Sequence, residues 1–375
     1  MAGCEWEVAS GELGVASGKD EWLEHFIIYF LFISTMILSV LSEFGLNAAT
    51  SKILPFGNGL INSTWKVDTQ NGSFILQQIN TAVFKMPEDI MYNISLVSAW
   101  LGKYYPKYLF TTPVCSVTDN TLVLHESEYY RLFPFVQSSH SIDVVSTPAQ
   151  AYEAATQFGR FTKLLSNFDA SQLRITIPDF HNLKIRYQQF LHSLETGNQQ
   201  RIVASAALIT ILKQHSNIVD QYVSILSNPD FKIRVTHHDT KISNVLFDSD
   251  DKGICVIDLD TLMPGYFISD VGDMMRTYLC PVSEEEADYN KIKIRKDYYE
   301  AIVQGYFNEM QNELTETEKG YFFYAGTFMI YMQALRFLTD YLNNDIYYGE
   351  KYPAQNFIRA GNQAVLLQRL VEMDK

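Results

Sequence analysis

A chain of 375 residues is long enough for two lobes, each with its own core. Its formal net charge of -14 excludes a protein that coats nucleic acid through a cationic surface. It does not exclude a nucleotide substrate, because a bound cation and backbone amides can hold phosphates locally. Cys4, Cys115, Cys255 and Cys280 are far apart and form no C-x-x-C pair, so neither a disulfide framework nor a zinc site is expected, and a reducing cytoplasm fits.

The N-terminus admits three readings. Residues Phe26 to Ser42 read FIIYFLFISTMILSVLS without a charge, at the lower edge of a membrane span. The flank before them carries Lys19, Asp20, Glu21 and Glu24 rather than the cationic start of a secretory signal. The segment is therefore an upstream artefact with Met36 as initiator, a membrane anchor, or a buried helix. From Met36 to Leu46 the pattern is that of an ordinary first helix, with Gly45 near its end.

A β-rich region follows. Lys52 to Pro55 reads as a strand end, and Phe56 to Thr64 as a glycine turn. Strands at Trp65–Asp68 and Ser73–Gln77 flank Gln70-Asn-Gly72, a strong hairpin signal because Asn and Gly tolerate positive φ. A helix is predicted over Pro87 to Tyr104, with Pro87 in the first turn, Glu88 and Asp89 at its positive end, and Ile90, Ile94, Val97 and Leu101 at helical spacing. Strands at Thr121–His125 and Tyr129–Val136 complete this region.

From about Thr147 the pattern turns helical. Ala151, Ala154, Ala155, Phe158, Phe161, Leu164 and Leu165 mark one helix face, and further helices are predicted over Phe180–Leu194, Arg201–Leu226, Tyr298–Met310 and Thr317–Leu342. The shift near residues 136–147 divides the chain into an extension (1–35), an N-lobe (36–136) and a C-lobe (137–375). The expected class is α+β.

The helical half is interrupted by Val235 to Gly265, VTHHDTKISNVLFDSDDKGICVIDLDTLMPG. His237-His-Asp239-Thr-Lys-Ile-Ser-Asn244 has the form H-x-D-x-x-x-x-N, which in protein kinases sets an aspartate against the acceptor hydroxyl and an asparagine on magnesium. Val256-Ile-Asp258-Leu-Asp260 supplies a carboxylate at a strand end for a second metal contact. Magnesium takes hard oxygen ligands, usually one or two carboxylates plus phosphates and water. Gly57, Asn58 and Gly59, with Asn62 and Thr64, would cover the phosphates, since glycines let backbone amides approach oxygens closely. No G-K-[ST] follows, so the turn is not a Walker loop, and a plain hairpin turn is the competing reading.

These strings resemble the aminoglycoside phosphotransferase and choline kinase superfamily and, within it, the N-acetylhexosamine 1-kinases. FGNGLINSTW (56–65), ILQQINTAVFKMPEDIM (75–91), YYRLFPFV (129–136), AYEAATQFGRFTKLL (151–165), SDVGDMMR (269–276) and LRFLTDYLNNDIYY (335–348) add to the likeness. The resemblance implies a bilobal protein-kinase-like fold with a small β-rich N-lobe, a larger helical C-lobe and ATP in the cleft. It implies transfer of the γ-phosphoryl group to the anomeric hydroxyl of an N-acetylhexosamine. Asp239 then falls on the catalytic aspartate, and Asn244 and Asp258 on the magnesium ligands. Backbone groups of the hinge strand, around Arg131 and Phe133 to Phe135, would face adenine. Arg336, Asp340 and Asp260 are expected at the sugar, with Asp260 alternatively behind the metal. Lys241 would stabilise the transferring phosphoryl group or else point to solvent.

One departure stands out. The third strand carries Gln77 and Gln78 where many superfamily members carry a phosphate-binding lysine, and Glu88 lies only near the position of its usual partner. Transfer would then lean on magnesium and backbone donors. Competing readings are a kinase for another small acceptor (an aminoglycoside, choline or homoserine) and a nucleotide-binding protein without transfer activity.

Overall fold

The computed structural model describes residues 36–373, apart from Asn58 and Leu60. Most of the uncharged run at 26–42, and the question of residues 1–35, lie outside them. Helix α1, through residues 36–43, lays Ile37, Val40 and Leu41 on a β-sheet. Among the described residues no helix is long and apolar enough to cross a membrane.

That sheet has five antiparallel strands: β1 (Lys52–Pro55), β2 (Ser63–Thr69), β3 (Gly72–Ile79), β4 (Val123–His125) and β5 (Glu128–Pro134), in the order β1-β2-β3-β5-β4. Thr69 pairs with Gly72, so the predicted hairpin closes over Gln70 and Asn71. Helix α2 (Pro87–Tyr104) starts at the proline and buries the predicted stripe. Alternation along a strand sorts the two sheet faces. Leu76, Tyr130 and Leu132 lie against α1, whereas Ile79, Tyr129 and Phe133 join the main core on the other face. By the same alternation Gln77 and Arg131 face the C-lobe, directly opposite each other across β3 and β5.

The chain leaves the sheet after Pro134 and pairs again at β6 (His140–Ser141), with β8 (Val245–Phe247) and β9 (Gly253–Val256) completing a three-stranded ribbon. Strands β7 (Arg234–Thr236) and β10 (Met263–Gly265) form a second small ribbon. The loops 237–244 and 257–262 hang between these ribbons, on the side of the C-lobe that meets the first sheet.

The rest is helical: α3 (Pro148–Leu164), α4 (Leu183–Thr196), α5 (Gln199–Ala204), α6 (Ala206–Gln214), α7 (Asn217–Ser227), α8 (Phe267–Tyr278), α9 (Lys296–Met310), α10 (Glu316–Lys319), α11 (Phe322–Leu342) and α12 (Gln355–Met373). The long helix expected over Arg201–Leu226 is three helices, broken at Ser205 and at His215-Ser216. That expected over Thr317–Leu342 is two, because a capping box of Thr315 and Glu318 winds α10 and the chain turns again at Gly320-Tyr321. Helix α11 is almost wholly buried, with α4, α8 and α12 against it. Gly272 lets α8 come close, since a Cβ there would collide with the Ala325 carbonyl oxygen of α11.

Candidate active site

Helix α8 builds the 237–244 loop from beneath. Asp270 accepts the His237 and His238 backbone N–H groups at 3.1 and 2.8 Å, and Asp273 accepts that of Thr240 at 2.8 Å. The Thr240 hydroxyl donates to the Asp270 carbonyl, and the Tyr278 hydroxyl donates to the Thr240 carbonyl. His237 Nε2 meets the Ile257 carbonyl at 2.9 Å, which ties this loop to the one carrying Asp258. These bonds hold His238 at φ +66°, a conformation a histidine seldom adopts unaided. Burial pushes the Asp270 carboxyl up to about 7, while the two N–H donors pull it the other way. Asp270→Ala orphans two buried N–H groups at about 1–3 kcal/mol each. A matching fall in urea-unfolding free energy, together with a lower kcat, is the expected outcome.

The loop delivers Asp239 beside two partners. Asn244 Nδ2 donates to the Asp239 carbonyl at 2.8 Å and to its carboxylate at 3.2 Å, and Lys241 Nζ stands 3.1 Å from the same oxygen, Oδ2. Burial works to lower the Lys241 ammonium, but the carboxylates of Asp239 and Asp258 lift it above its ordinary value. Lys241 is thus a half-exposed ion-pair partner of Asp239. Asp258, at φ 60°, ψ 64°, begins a short 3-10 turn. The protein crowded around the cleft, then the neighbouring Asp260 and Asp239, raises its carboxyl above the usual range, with Lys241 and Arg131 as the opposing cations. Asn244 thus touches Asp239 directly, and its carbonyl accepts the Ile257 N–H at 2.9 Å, which sets the Asp258 loop next to it.

This donor set fits a hard divalent cation. Asp258 is a solvent-accessible carboxylate with excess negative charge around it, and the Asn244 side-chain oxygen accepts no hydrogen bond from the described residues. No three His, Cys, Asp or Glu side chains among the described residues surround a common point. Magnesium does not require that, since phosphate and water oxygens usually fill its remaining positions.

The roof of the cleft differs from expectation. Phe135 N–H donates to Ser73, and in an antiparallel ladder every second residue from there turns both its N–H and C=O to the partner strand. Phe133 and Arg131 are those residues, so β3 takes the backbone groups that had been expected to face adenine. Arg131 enters the cleft by its side chain instead: Nε donates to Gln77 Oε1 at 3.0 Å and Nη1 lies 2.5 Å from Asp260 Oδ1. Phe133 packs beneath the guanidinium, 5.3 Å from its centre. Gln77 passes on to the Thr64 hydroxyl at 3.3 Å. Asn62 donates to Asp260 Oδ2 at 2.7 Å, so the glycine turn is fastened to the C-lobe. Asp260 is thereby held by two N-lobe side chains, one on each oxygen, and is not placed to contact a sugar. Gly57, at φ +79°, and Gly59 belong to this turn; Asn58 lies outside the described residues. Glu88 bonds the Tyr129 hydroxyl rather than a cation on β3.

Residues 52–309 match the model of the phosphotransferase enzyme family named for the aminoglycoside phosphotransferases. The chain belongs to this family. Solved structures similar to this phosphotransferase include a microcompartment-associated aminopropanol kinase, at 16% identity over 91% of this chain and 98% of the other, with TM-score 0.62. An aminoglycoside phosphotransferase from Alicyclobacillus acidocaldarius matches at 12% identity over 89% and 94%, TM-score 0.58. Choline kinase LicA from Streptococcus pneumoniae matches at 13% over 91% and 99%, TM-score 0.52. Identities this low speak for the kinase-like fold alone.

Behind His238 the phosphotransferase has a recess of about 170 Å3, lined by Phe180, His181, Gly265, Tyr266 and Ser269 among others. His181 Nδ1 bonds the Ser269 hydroxyl. Arg336 lies over Phe180 and Tyr348, 5.5 Å from each ring centre, and 6.0 Å from that of Tyr347. It touches Gln333 Oε1 at 3.2 Å and has no carboxylate partner among the described residues. Burial, the neighbouring His238 and the cations Arg336, Arg276 and Arg186 all hold His181 well below its ordinary value. Asp340 is placed differently from expectation: its carboxylate accepts the Tyr347 and Tyr348 N–H groups and the Asn356 amide. It shapes the turn that presents the two tyrosines and has no spare oxygen aimed at the recess. Asp270, Asp273, Arg276 and the side chain of Arg131 had no assigned role in the sequence reading. The one available sign was two acids and an arginine in SDVGDMMR, spaced to share a helix face.

Proposed function

We propose that this phosphotransferase moves the γ-phosphoryl group of ATP to the anomeric hydroxyl of an N-acetylhexosamine. The observation that carries this reading is the character of the recess behind His238, the residue before Asp239. Its lining is largely aromatic and apolar, with Phe180, Tyr222, Tyr266 and Phe328 beside Asp179, and Arg336 lies against Phe180 without a carboxylate partner among the described residues. Asp179 is the charged side chain among the described lining residues, so charge alone does not turn away choline, an aminoalcohol or an aminoglycoside. The preference rests on the aromatic faces and on Arg336 behind Phe180. A neutral sugar can lay its ring against the aromatic faces and offer an acetamido oxygen to the guanidinium. The volume also falls below the roughly 300–1,000 Å3 usual for drug-sized ligands, which suits a monosaccharide better than a polycyclic antibiotic.

Within this reading Asp239 orients the sugar hydroxyl and takes up its proton late in the transfer. Lys241 holds the Asp239 carboxylate and faces the transferring group. Asn244 and Asp258 would hold magnesium, which when bound supplies charge neutralisation across the phosphates. The glycine turn covers the phosphates from above.

A transfer assay with labelled ATP on N-acetylglucosamine, N-acetylgalactosamine, galactose, choline and kanamycin tests the proposal. Product should appear with the acetylated sugars and carry its phosphate on the anomeric carbon. Transfer only to the cations would transfer the assignment to a different acceptor class. ATP binding without product on any acceptor would favour a protein that has lost catalysis. Arg336→Met is expected to raise the acceptor KM about ten- to a hundredfold, the range of one charged hydrogen bond, with the KM for ATP unchanged.

A further inference from the structure

We propose, building on the nucleotide reading above, that Arg131 is the side chain that grips the ATP phosphates, and that Asp260 positions it. Strand β3 offers no cation at the cleft face, since Gln77 stands there and is used to brace Arg131 and Thr64. The charge arrives from the neighbouring strand, one cross-strand pair away. A guanidinium reaches further than a carboxamide and carries five donors in a fixed fork.

The pair is poorly explained as a purely structural ion pair. Arg131 and Asp260 are 1% and 3% exposed, so both charges have left water. Burying such charges is favourable only when their hydrogen-bonding capacity is met. Here Arg131 spends Nη1 on Asp260 Oδ1 at 2.5 Å and Nε on Gln77, and its Nη2 has no hydrogen-bond partner among the described residues. A guanidinium with one nitrogen left over, beside the loop of Asp258 and next to the glycine turn that Asn62 fastens to Asp260, is suited to an anion of the phosphate type. Asp260 sets its direction from the C-lobe, Gln77 from the N-lobe, and Phe133 supports its flat face.

Calorimetric titration with ATP and with adenosine, both in magnesium buffer, tests the assignment. Wild type should bind ATP more tightly than adenosine. Because Arg131→Met alone strands a buried carboxylate, the informative comparison is Asp260→Asn against the double variant Arg131→Met/Asp260→Asn. Adding Arg131→Met should weaken ATP about ten- to a hundredfold and leave adenosine unchanged. Arg131→Lys, keeping charge without the fork, should recover part of the ATP affinity. Equal ATP affinity in Asp260→Asn and the double variant, or an equal loss for ATP and adenosine, would overturn the proposal. A wild type that binds adenosine as tightly as ATP would instead overturn the nucleotide reading, and the proposal with it.

Discussion

Asp239→Asn is expected to lower kcat about 10²–10⁴-fold, the span usual for a positioned acid or base, while ATP still binds. The amide keeps the size and shape of the carboxylate but cannot accept a proton. The Asn244 bond to the Asp239 backbone carbonyl survives the exchange, so the loop should keep its path. Lys241 loses its 3.1 Å partner and gains freedom to approach a phosphate, which favours binding if anything. Single-turnover transfer measured beside nucleotide titration separates the two quantities. Near-normal turnover in the variant would remove Asp239 from the chemistry. A joint loss of turnover and ATP binding would mean that the substitution had disturbed the loop.

Glu318→Ala should cost about 3–5 kcal/mol of stability, as expected for stranding one member of a buried ion pair. Glu318 is fully buried and meets Arg234 with both oxygens, at 2.6 and 2.8 Å. The same carboxylate accepts the Lys232 and Thr315 N–H groups, so its removal strands a guanidinium and two amides together. Arg234 opens β7, the strand that runs straight into His237, and the loss should therefore be felt at the active site as well. Urea unfolding reads the effect. Glu318→Gln, which keeps an oxygen acceptor without the charge, should lose less than the alanine variant. An alanine variant as stable as wild type would show that Arg234 finds other acceptors; it already holds the Glu313 carbonyl.

What the sequence made legible follows from how local each signal is. The hairpin at Asn71-Gly72 and the start of α2 at Pro87 depend on backbone preferences of a few residues, and both elements stand where those residues put them. The H-x-D-x-x-x-x-N spacing likewise brings Asp239 and Asn244 into contact, because the 3-10 turn Ile242–Asn244 folds the short segment back. Signals that need a distant partner were silent. Helix α8 carries Asp270, Asp273 and Arg276 on one face as a surface helix would, yet that face is turned inward against the 237–244 loop. Its Asp270 acquires a purpose only when 32 residues of intervening chain fold back over it. The breaks at Ser205 and Ser216 involve neither glycine nor proline, so periodicity ran through them. Arg131 was read as backbone because its neighbours suggested a hinge, while the direction of its side chain was set by alternation and by Asp260, 129 positions away.

Asp260 is a single carboxylate held by Asn62 on one oxygen and Arg131 on the other. The distance between the halves of the molecule and the direction of the arginine therefore share one mechanical joint. Widening the gap slackens the arginine, and drawing the arginine toward an incoming anion tugs on the glycine turn. A residue change at 260 accordingly alters breathing motion and ligand affinity together, and neither observable alone can report what that aspartate does.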